Sequence, residues 1–205
     1  MSTESTPRER RRYRKRRRAE LEDQTRLRIA AAAVDLHGSI GPARTTISAV
    51  AERAGVQRAT LYRHFPDDDA LFAACSSHWM TLHPFPDLAA WAAVDDPDER
   101  LRTALRQLYE WYERGEHMLE NTTRDVALVP ALRPAMEAVD NWMQRAGDTI
   151  VVSRRERGAR RRRVRAAVGH AMSFATWRSL VRDQRLSAAE AIELMTSLVA
   201  AAGRG

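Results

Sequence analysis

The chain has 205 residues, a formal net charge of +7, 44% hydrophobic residues and 30% charged residues. This composition fits one large folded domain or two small ones, and it excludes a chain that is disordered throughout. The longest stretch without a charged residue, 70–86, has 17 residues, whereas a membrane-spanning helix needs about 20 mostly apolar residues. Because Glu20 and Glu22 follow the basic start in place of an apolar segment, we expect no secretory signal peptide and a cytoplasmic location.

Positive charge is concentrated in two segments. Residues 1–18 and residues 154–165 each carry a net charge of +7, whereas residues 67–153 carry −9. We expect residues 1–19 to form a disordered basic arm, because so many like charges without apolar periodicity oppose independent folding. Such an arm neutralises DNA phosphates or enters a minor groove, and a plain solvated tail is the alternative interpretation.

Helical periodicity is almost continuous and strand patterns are nearly absent, so the predicted fold is all-α. Three helices are predicted in the first part of the chain, over residues 22–40, 47–54 and 58–64. Gly41-Pro42 ends the first helix, since glycine tolerates a left-handed cap and proline cannot continue a helix. Thr45 or Thr46 caps the second helix.

The remainder of the chain is also predicted to be helical. Residues 67–69, all aspartate, open a fourth helix where the helix dipole favours negative charge, and a Pro- and Asp-rich loop over 84–97 follows. Apolar spacings of three and four predict further helices over 101–115, 117–129, 136–150 and 158–183. The last helix begins at a capping box formed by Ser187 and Glu190 and ends at Gly203. These elements make about nine helices in two predicted domains, residues 20–66 and 67–205.

The segment 46–65, TISAVAERAGVQRATLYRHF, meets the requirements of a helix-turn-helix motif in register. The first helix needs a small residue where the second helix approaches it, and Ala51 supplies one. The turn needs a residue that tolerates positive φ, and Gly55 stands four positions later. The second helix needs an inward apolar residue, and Leu61 stands six positions beyond the glycine. A small three-helix fold that does not bind DNA is the alternative.

On these residues the chain resembles the TetR family of bacterial transcriptional regulators, over about residues 24–71. The family's signature is matched by Thr-Thr-Ile at 45–47, Ala-Glu-Arg-Ala-Gly-Val at 51–56 and Thr-Leu-Tyr-Arg-His-Phe at 60–65. The resemblance implies that the third helix enters the major groove of DNA, with these residues at base edges: Gln57, Arg58, Ala59 and Arg63. It implies phosphate contacts for Thr45 or Thr46, Thr60, Tyr62 and His64. For Tyr62, packing in the core is the alternative.

Four positions depart from the family pattern. Gln57 stands where the family often has serine or threonine, and Ala59 stands where it often has glycine. Asp68 occupies a position where the family usually has a phosphate-binding lysine, so we expect the basic arm to replace that cation. His37 stands where a core phenylalanine is common, and we interpret it as a packing residue and not as a ligand.

The resemblance also implies a homodimer in which the last two helices of each subunit form a four-helix interface. Small residues that allow close helix approach are Ala166, Ala167, Ala171 and Ala175. The middle helices are expected to enclose a pocket for a small-molecule effector, and the candidates for its lining are Trp111, Tyr112, His117, Met118, Asn121, Trp142, Met143, Phe174 and Trp177. Ordinary core packing is the alternative for each of them. An aromatic pocket would suit a flat, largely apolar effector.

Signals of enzyme or metal chemistry are weak. Cys75 is the single cysteine, which excludes an intramolecular disulfide and a cysteine-based zinc site. The six histidines form no HExxH pattern, and the sequence contains neither a glycine-rich phosphate loop nor a nucleophile elbow. We therefore expect no catalytic residue, no metal and no cofactor. The arginine cluster at 154–165 is interpreted as solvated or paired with the acidic middle, and a second nucleic-acid contact or an anionic effector is the alternative.

The predicted function is that of a homodimeric transcriptional repressor in the bacterial cytoplasm, associated with the nucleoid. It binds a palindromic operator, and a small-molecule effector releases it. One alternative is a sequence-tolerant DNA-binding protein dominated by the basic arm. A second alternative is an interaction module or an enzyme on a regulator-like scaffold. Activation of transcription is a further alternative to repression.

Overall fold

The described part of the chain is all-α, as the sequence predicts. A computed structural model describes residues 7–204. Within this range lie ten α-helices: α1 (Pro7–Ser39), α2 (Ile47–Arg53), α3 (Arg58–His64), α4 (Asp68–Leu82), α5 (Leu88–Ala92), α6 (Pro97–Asp125), α7 (Arg133–Val151), α8 (Gly158–Met172), α9 (Phe174–Arg178) and α10 (Ala188–Arg204). Short 3₁₀ turns lie at Pro42–Arg44 and Pro130–Leu132, and a π-helical turn lies at Ser179–Asp183.

The first helix extends much further towards the N-terminus than the sequence predicts. Helix α1 runs through 7–19 of the segment expected to be disordered, and residues 1–6 lie outside the described range. Its 33 residues form a rod about 50 Å long, in which Arg16 and Glu20 are paired at 2.9 Å across one turn. Because the other end of α1 is packed in the core, each added arginine or glutamate extends a helix that is already nucleated. Repulsion between the arginines would prevent an isolated arm from starting a helix. It does not prevent the extension of a helix that has already formed.

The boundaries of the next three helices follow the prediction. Thr46 caps α2, and its hydroxyl oxygen accepts a hydrogen bond from the Ala49 N–H at 3.1 Å. Gly55 has φ of +65° in the turn between α2 and α3. Asp67 caps α4, and its carboxylate accepts a hydrogen bond from the Ala70 N–H at 2.8 Å. Local sequence signals therefore place these ends correctly.

The helices predicted over 101–115 and 117–129 form the single helix α6, so the predicted end at Gly115 is wrong. Gly115 faces α4, and a Cβ at this position would lie 3.1 Å from the Trp79 ring carbon Cζ2. The glycine therefore permits the close approach of two helices instead of ending one.

The helix predicted over 158–183 is divided at Ser173. This residue has φ of −72° and ψ of +143°, and its hydroxyl accepts a hydrogen bond from the Thr176 N–H at 3.1 Å. It thereby ends α8 and caps α9. Apolar periodicity continues across the break, which is why the sequence pattern did not show it. The short helix α5 likewise lies within 84–97, where a loop was predicted.

Two apolar cores hold the helices together. The head core joins α1 to α2, α3 and the first half of α4, and it includes Ile29, Ala33, Val50, Ala51, Leu61, Phe65, Leu71, Phe72 and Cys75. The body core surrounds α6, and its large side chains include Trp91, Tyr109, Trp111, Tyr112, Trp142 and Trp177. The cores meet within α4, where Cys75 belongs to the head core and Trp79 to the body core. Helix α4 therefore serves both units, and the division between residues 66 and 67 stays a sequence-based prediction.

Substitution of Gly41 and Gly55 by alanine tests which of the two glycines is required for close packing in the head. Gly41 has φ of +91° and ψ of +153°, and a Cβ there would lie 2.6 Å from Asp125 Oδ2. We expect Gly41→Ala to lower the free energy of unfolding by about 2–3 kcal/mol, because backbone strain and steric overlap add. Gly55→Ala is the matched control, since a Cβ at Gly55 meets nothing within 4 Å, and we expect a loss of about 1 kcal/mol. Urea unfolding followed by circular dichroism measures both, and equal losses would contradict this account.

Candidate nucleic-acid interface and internal cavity

Helix α3 buries one face and exposes the other. Leu61 is fully buried in the head core with Val50 and Ala51 of α2, as the helix-turn-helix register requires. The exposed side chains at the start of α3 and along it are Gln57, Arg58, Ala59, Tyr62 and Arg63, while Thr60 and His64 are half-buried. Every residue that the sequence predicts to contact DNA from this helix therefore retains accessible surface.

Three further observations concern the predicted phosphate contacts. Tyr62 is 45% exposed, so the alternative of a packed tyrosine does not describe this structure. Thr46 is exposed at the N-terminus of α2. Thr45 is half-buried, and its hydroxyl donates a hydrogen bond to the Gly41 carbonyl at 2.8 Å. The side chain of Thr46 is thus more accessible than that of Thr45.

Helix α1 holds the C-terminal end of α3 in position. The Arg26 guanidinium carbon lies 4.3 Å from the centre of the Phe65 ring, and Arg26 Nη1 donates a hydrogen bond to the His64 carbonyl at 2.7 Å. The cation–π contact is worth about 1 kcal/mol, and the hydrogen bond satisfies a carbonyl that lacks a partner within α3. The orientation of α3 therefore depends on α1.

Negative charge lies close to the predicted phosphate contacts on α2. Asp68 and Asp69 are exposed and line one open groove together with Thr45 and Thr46. Carboxylates at this position oppose a nearby phosphate. Positive charge lies instead on the outer part of α1, where every side chain over 11–18 is exposed.

Five of the predicted pocket residues belong to one aromatic cluster. Ring centres are 5.6 Å apart for Trp111 and Tyr112, 5.3 Å for Tyr112 and Phe174, and 5.4 Å for Phe174 and Trp177. The Tyr112 hydroxyl donates a hydrogen bond to the Met172 carbonyl. Trp142 joins the same cluster through Phe85, and His117 stands apart, exposed on α6. The structure thus packs these five side chains against one another.

An apolar cavity of about 200 Å³ lies elsewhere, between α1, α4, α6 and α7. Its lining includes Phe72, Trp79, Met80, Phe85, Met118 and Met136, and none of its lining residues is Asp, Glu, Lys or Arg. Of the predicted pocket residues, Met118 alone lines it. Lining residues such as Phe72, Cys75 and Trp79 stand three or four positions apart on their helix, which is also the pattern of ordinary core. Sequence periodicity therefore does not distinguish the residues that line the cavity from ordinary core residues.

His37 and Cys75 lie side by side in the cavity wall. The His37 ring stacks on Phe72 with centres 4.9 Å apart, and its Nδ1 lies 3.7 Å from Cys75 Sγ. This agrees with the interpretation of His37 as a packing residue. Burial lowers the pKa of His37 to about 4, although the charge of Asp125 acts in the opposite direction. Burial raises the pKa of Cys75 to about 12, so both groups are uncharged near neutral pH.

The C-terminal part of α6 is hydrogen-bonded to the end of α1 and to the turn before α2. Asn121, a predicted pocket residue, is buried, and its Nδ2 donates to the carbonyls of His37 and Gly38, each at 2.9 Å. The Asp125 carboxylate accepts a hydrogen bond from the Ala43 N–H at 3.0 Å. Because α6 also lines the cavity, these bonds connect the cavity to the head.

The outer surface of α10 carries exposed apolar side chains. Leu194 and Leu198 are 42% and 50% exposed and stand one turn apart. Helix α8 packs beside α10. The four alanines predicted at a dimer interface are divided: Ala166 and Ala175 are exposed, Ala167 is half-buried and Ala171 is buried in the body core. Ala171 therefore does not belong to an outer surface of this chain.

The arginine cluster at 154–165 is partly paired with the acidic middle. Arg154 is buried, and its Nη2 lies 2.8 Å from Asp98 Oδ1. Arg165 pairs with Asp148 at the surface. These two contacts agree with the interpretation of the cluster as paired or solvated.

Residues 7–204 present neither a membrane span nor a metal-binding cluster. No helix in this range has the length and apolar character needed to cross a membrane. Over the same range, no group of three or more His, Cys, Asp and Glu side chains is placed to hold a metal ion.

Known proteins share this architecture. Residues 29–75 match the family model described as bacterial regulatory proteins, tetR family. The chain is similar to a TetR-like transcriptional regulator from Rhodococcus sp. RHA1, with a TM-score of 0.61 and 22% identity over 87% of this chain and 93% of that one. A proposed fatty acid metabolism regulator of Clostridium perfringens gives a TM-score of 0.61 and 16% identity, over 84% and 96% of the two chains. No curated protein matches the chain.

A third similar structure is the multidrug binding protein EbrR in complex with imidazole. Its TM-score is 0.53, with 24% identity over 85% of this chain and 89% of that one. The helix-turn-helix head and the larger helical body together define an all-α fold of two parts. The tetR family model covers the head, over residues 29–75, and the body shares the all-α fold of the solved structures.

His37 is expected to make stability depend on pH. Its pKa is about 4 in the folded chain, against 6.5 without burial. Between these two values the unfolded chain binds a proton that the folded chain does not, so stability falls as the pH falls, by up to about 1.4 kcal/mol per pH unit. We expect His37→Phe to remove this slope in urea unfolding between about pH 7 and pH 5. His117→Gln, which removes an exposed imidazole, should keep it, and an unchanged slope in His37→Phe would contradict the assignment.

Proposed function

We propose that the protein is a homodimeric transcriptional repressor that binds a palindromic operator and is released from it by a small-molecule effector. The observation that carries the proposal is α3, whose buried side fits the helix-turn-helix core while its other side exposes Arg58, Tyr62 and Arg63. The protein acts at the nucleoid, in the cytoplasm of a bacterial cell. The proposal assigns no catalytic residue and no cofactor.

In the proposed complex α3 lies in the major groove. Arg58 and Arg63 each donate two hydrogen bonds to guanine, and Gln57 pairs with adenine, contacts worth about 1–3 kcal/mol of discrimination each. The Ala59 methyl group is placed to meet a thymine methyl group. Phosphate contacts come from Thr45 or Thr46, Thr60, Tyr62 and His64, and they set the register of α3 on the duplex.

The proposed dimer pairs α8 and α10 of one subunit with those of its partner. The exposed leucines Leu194 and Leu198, with Ala166 and Ala175, support an apolar interface on this side of the body. A two-fold axis there would relate two copies of α3. Spacing of roughly 34–36 Å would let them read successive major grooves, which is why a palindromic operator is proposed.

The outer part of α1 is proposed to neutralise phosphates beside the operator. Its basic side chains are exposed over 11–18, and they replace the cation that Asp68 does not provide. Contacts of this kind carry no base preference, and they make the affinity depend on salt concentration.

The body is proposed to transmit effector binding to the head. Asn121 and Asp125 attach α6 to the segment that leads into α2. A shift of α6 on effector binding would therefore change the separation of the two α3 helices. The coupling free energy is typically about 1–3 kcal/mol, and it requires DNA to weaken effector binding by the same factor.

A sequence-tolerant DNA-binding protein is the second candidate, favoured by the +7 charge of residues 1–18. The two candidates are separated by selecting bound duplexes from a random pool at near-physiological salt. A palindrome with half-sites one helical turn apart would support the dimeric repressor. Recovery of unselected sequence would contradict it and favour the basic arm as the main contact.

Arg58→Ala is expected to relax the base preference at one position of each half-site. The loss of affinity for the selected operator should be about 1–3 kcal/mol, with little change on unrelated duplex, because a base contact is removed. Arg106→Ala removes an exposed arginine of α6 and is the charge-matched control. Binding titrations on both duplexes measure the effect. Equal losses on operator and unrelated duplex would show that Arg58 does not read a base.

Deletion of residues 1–18 is expected to weaken binding to all duplexes by a similar factor. It should also flatten the dependence of affinity on salt, since the slope falls by about one for each phosphate that is no longer neutralised. Titrations at several salt concentrations measure this. A control in which Arg11, Arg12, Arg14 and Lys15 become glutamine keeps the length of α1 and should give part of the change. An unchanged salt slope would refute the role of the arm.

A further inference from the structure

We propose that the cavity between α1, α4, α6 and α7 is the effector site and that it selects an uncharged, apolar molecule about the size of a substituted benzene. The role of that molecule as an effector rests on the proposed function, whereas its binding does not require DNA. This site differs from the aromatic cluster around Trp111 and Trp177, where the sequence predicts the pocket. Three properties of the cavity support the assignment: its charge, its size and its connection to the head.

The cavity offers no charged side chain that would compensate an ionic ligand, and its polar lining residues are His37, Ser76, Ser77 and Thr122. None of its lining residues is an acid, a lysine or an arginine. Its imidazole, His37, is uncharged near neutral pH because burial lowers its pKa to about 4. The Thr122 hydroxyl already donates a hydrogen bond to the Met118 carbonyl at 2.7 Å. Since moving an unpaired charge into such surroundings costs several kcal/mol, the cavity favours an uncharged ligand over a charged one.

The size of the cavity sets the size of the ligand. An apolar cavity of about 150 Å³ in another protein stays dry and binds benzene, and this cavity is larger, at about 200 Å³. The thioethers of Met80, Met118 and Met136 line it together with the rings of Trp79 and Phe85. Methionine side chains adapt to irregular shapes and contact aromatic rings favourably. A single ring with a short apolar substituent meets these conditions.

The ligand would touch residues that belong to the head. His37 and Phe72 line this cavity and also line the groove beside the N-terminus of α2. Phe72 lies in the head core, and the His37 carbonyl accepts a hydrogen bond from Asn121 of α6. A ligand that displaces this ring pair therefore acts on the packing of the head directly, without a long chain of intermediate contacts.

Charge selectivity is tested by titration calorimetry on the full-length protein without DNA. Toluene, benzoate and benzylammonium present one ring that is neutral, negative or positive. We expect toluene to bind at one site per chain and both ions to bind at least about a hundredfold more weakly. Failure of toluene to bind, or binding of either ion as tightly as toluene, would overturn the proposal.

The location of the site is tested by filling the cavity. Ala135 of α7 lines it, and we expect Ala135→Phe to abolish toluene binding. Ala89→Phe adds the same ring at an exposed position of α5 and should leave the binding unchanged. Toluene affinity that survives in folded Ala135→Phe would overturn the location.

A second variant keeps the test decisive if Ala135→Phe fails to fold. Met136→Ala enlarges the cavity, and we expect it to shift the preference from toluene towards butylbenzene by about tenfold, because the longer chain then finds room. An unchanged preference would place the site elsewhere and overturn the proposal.

The role of the ligand as an effector is tested separately, on a selected operator duplex. Saturating toluene should weaken operator binding by wild-type protein by about fivefold or more and leave Ala135→Phe unaffected. Binding of toluene without any change in operator affinity would overturn the effector role. Absence of any selected operator, with toluene still bound, would instead refute the proposed function and leave the ligand class of the cavity standing.

Discussion

Helix α1 packs against both apolar cores, and the positions of the functional elements follow from this. Ile29 lies in the head core, Val34 packs against both cores, and His37 lines the cavity in the next turn. Arg26, on the same helix, supports the end of α3. Helix α1 thus carries the basic surface, the residue that supports α3 and part of the cavity wall. A displacement of the head therefore also disturbs the wall of the cavity.

The body contains a cluster of stacked rings and, beside it, a cavity whose wall combines methionine and aromatic side chains. Rings such as Phe85 and Trp142 stack at 4.6 Å between centres, and aromatic packing of this kind is rigid and close to crystal density. The cavity lies next to this cluster, on the side that faces the head, and its flexible thioethers come from α4, α6 and α7. The cavity therefore lies between a closely packed aromatic cluster and the residues of the head, His37 and Phe72.

The sequence predicts elements whose signals are local and fails where the determinant is a tertiary contact. Thr46, Gly55 and Asp67 were placed correctly because caps and left-handed turns depend on neighbouring residues. Gly115 was misinterpreted as a helix end, since the Trp79 ring that explains it lies on another helix. The helix-turn-helix motif predicts which face of α3 is exposed. No sequence pattern predicts the position of the cavity. Periodicity shows which side of a helix is apolar, but it does not show where the facing side chains leave a gap.

The buried thiol of Cys75 can be used to follow local opening of the folded chain. It is the sole thiol of the chain, and it lies 3% exposed where the head core adjoins the cavity. Because burial also raises the pKa of the thiol, we expect Cys75 of the folded chain to react slowly with oxidants and alkylating reagents. Covalent labelling of Cys75 therefore requires that the reagent enters the cavity or that α1 and α4 separate locally. The rate at which Cys75 is labelled therefore reports how often the buried thiol becomes accessible, without an added probe.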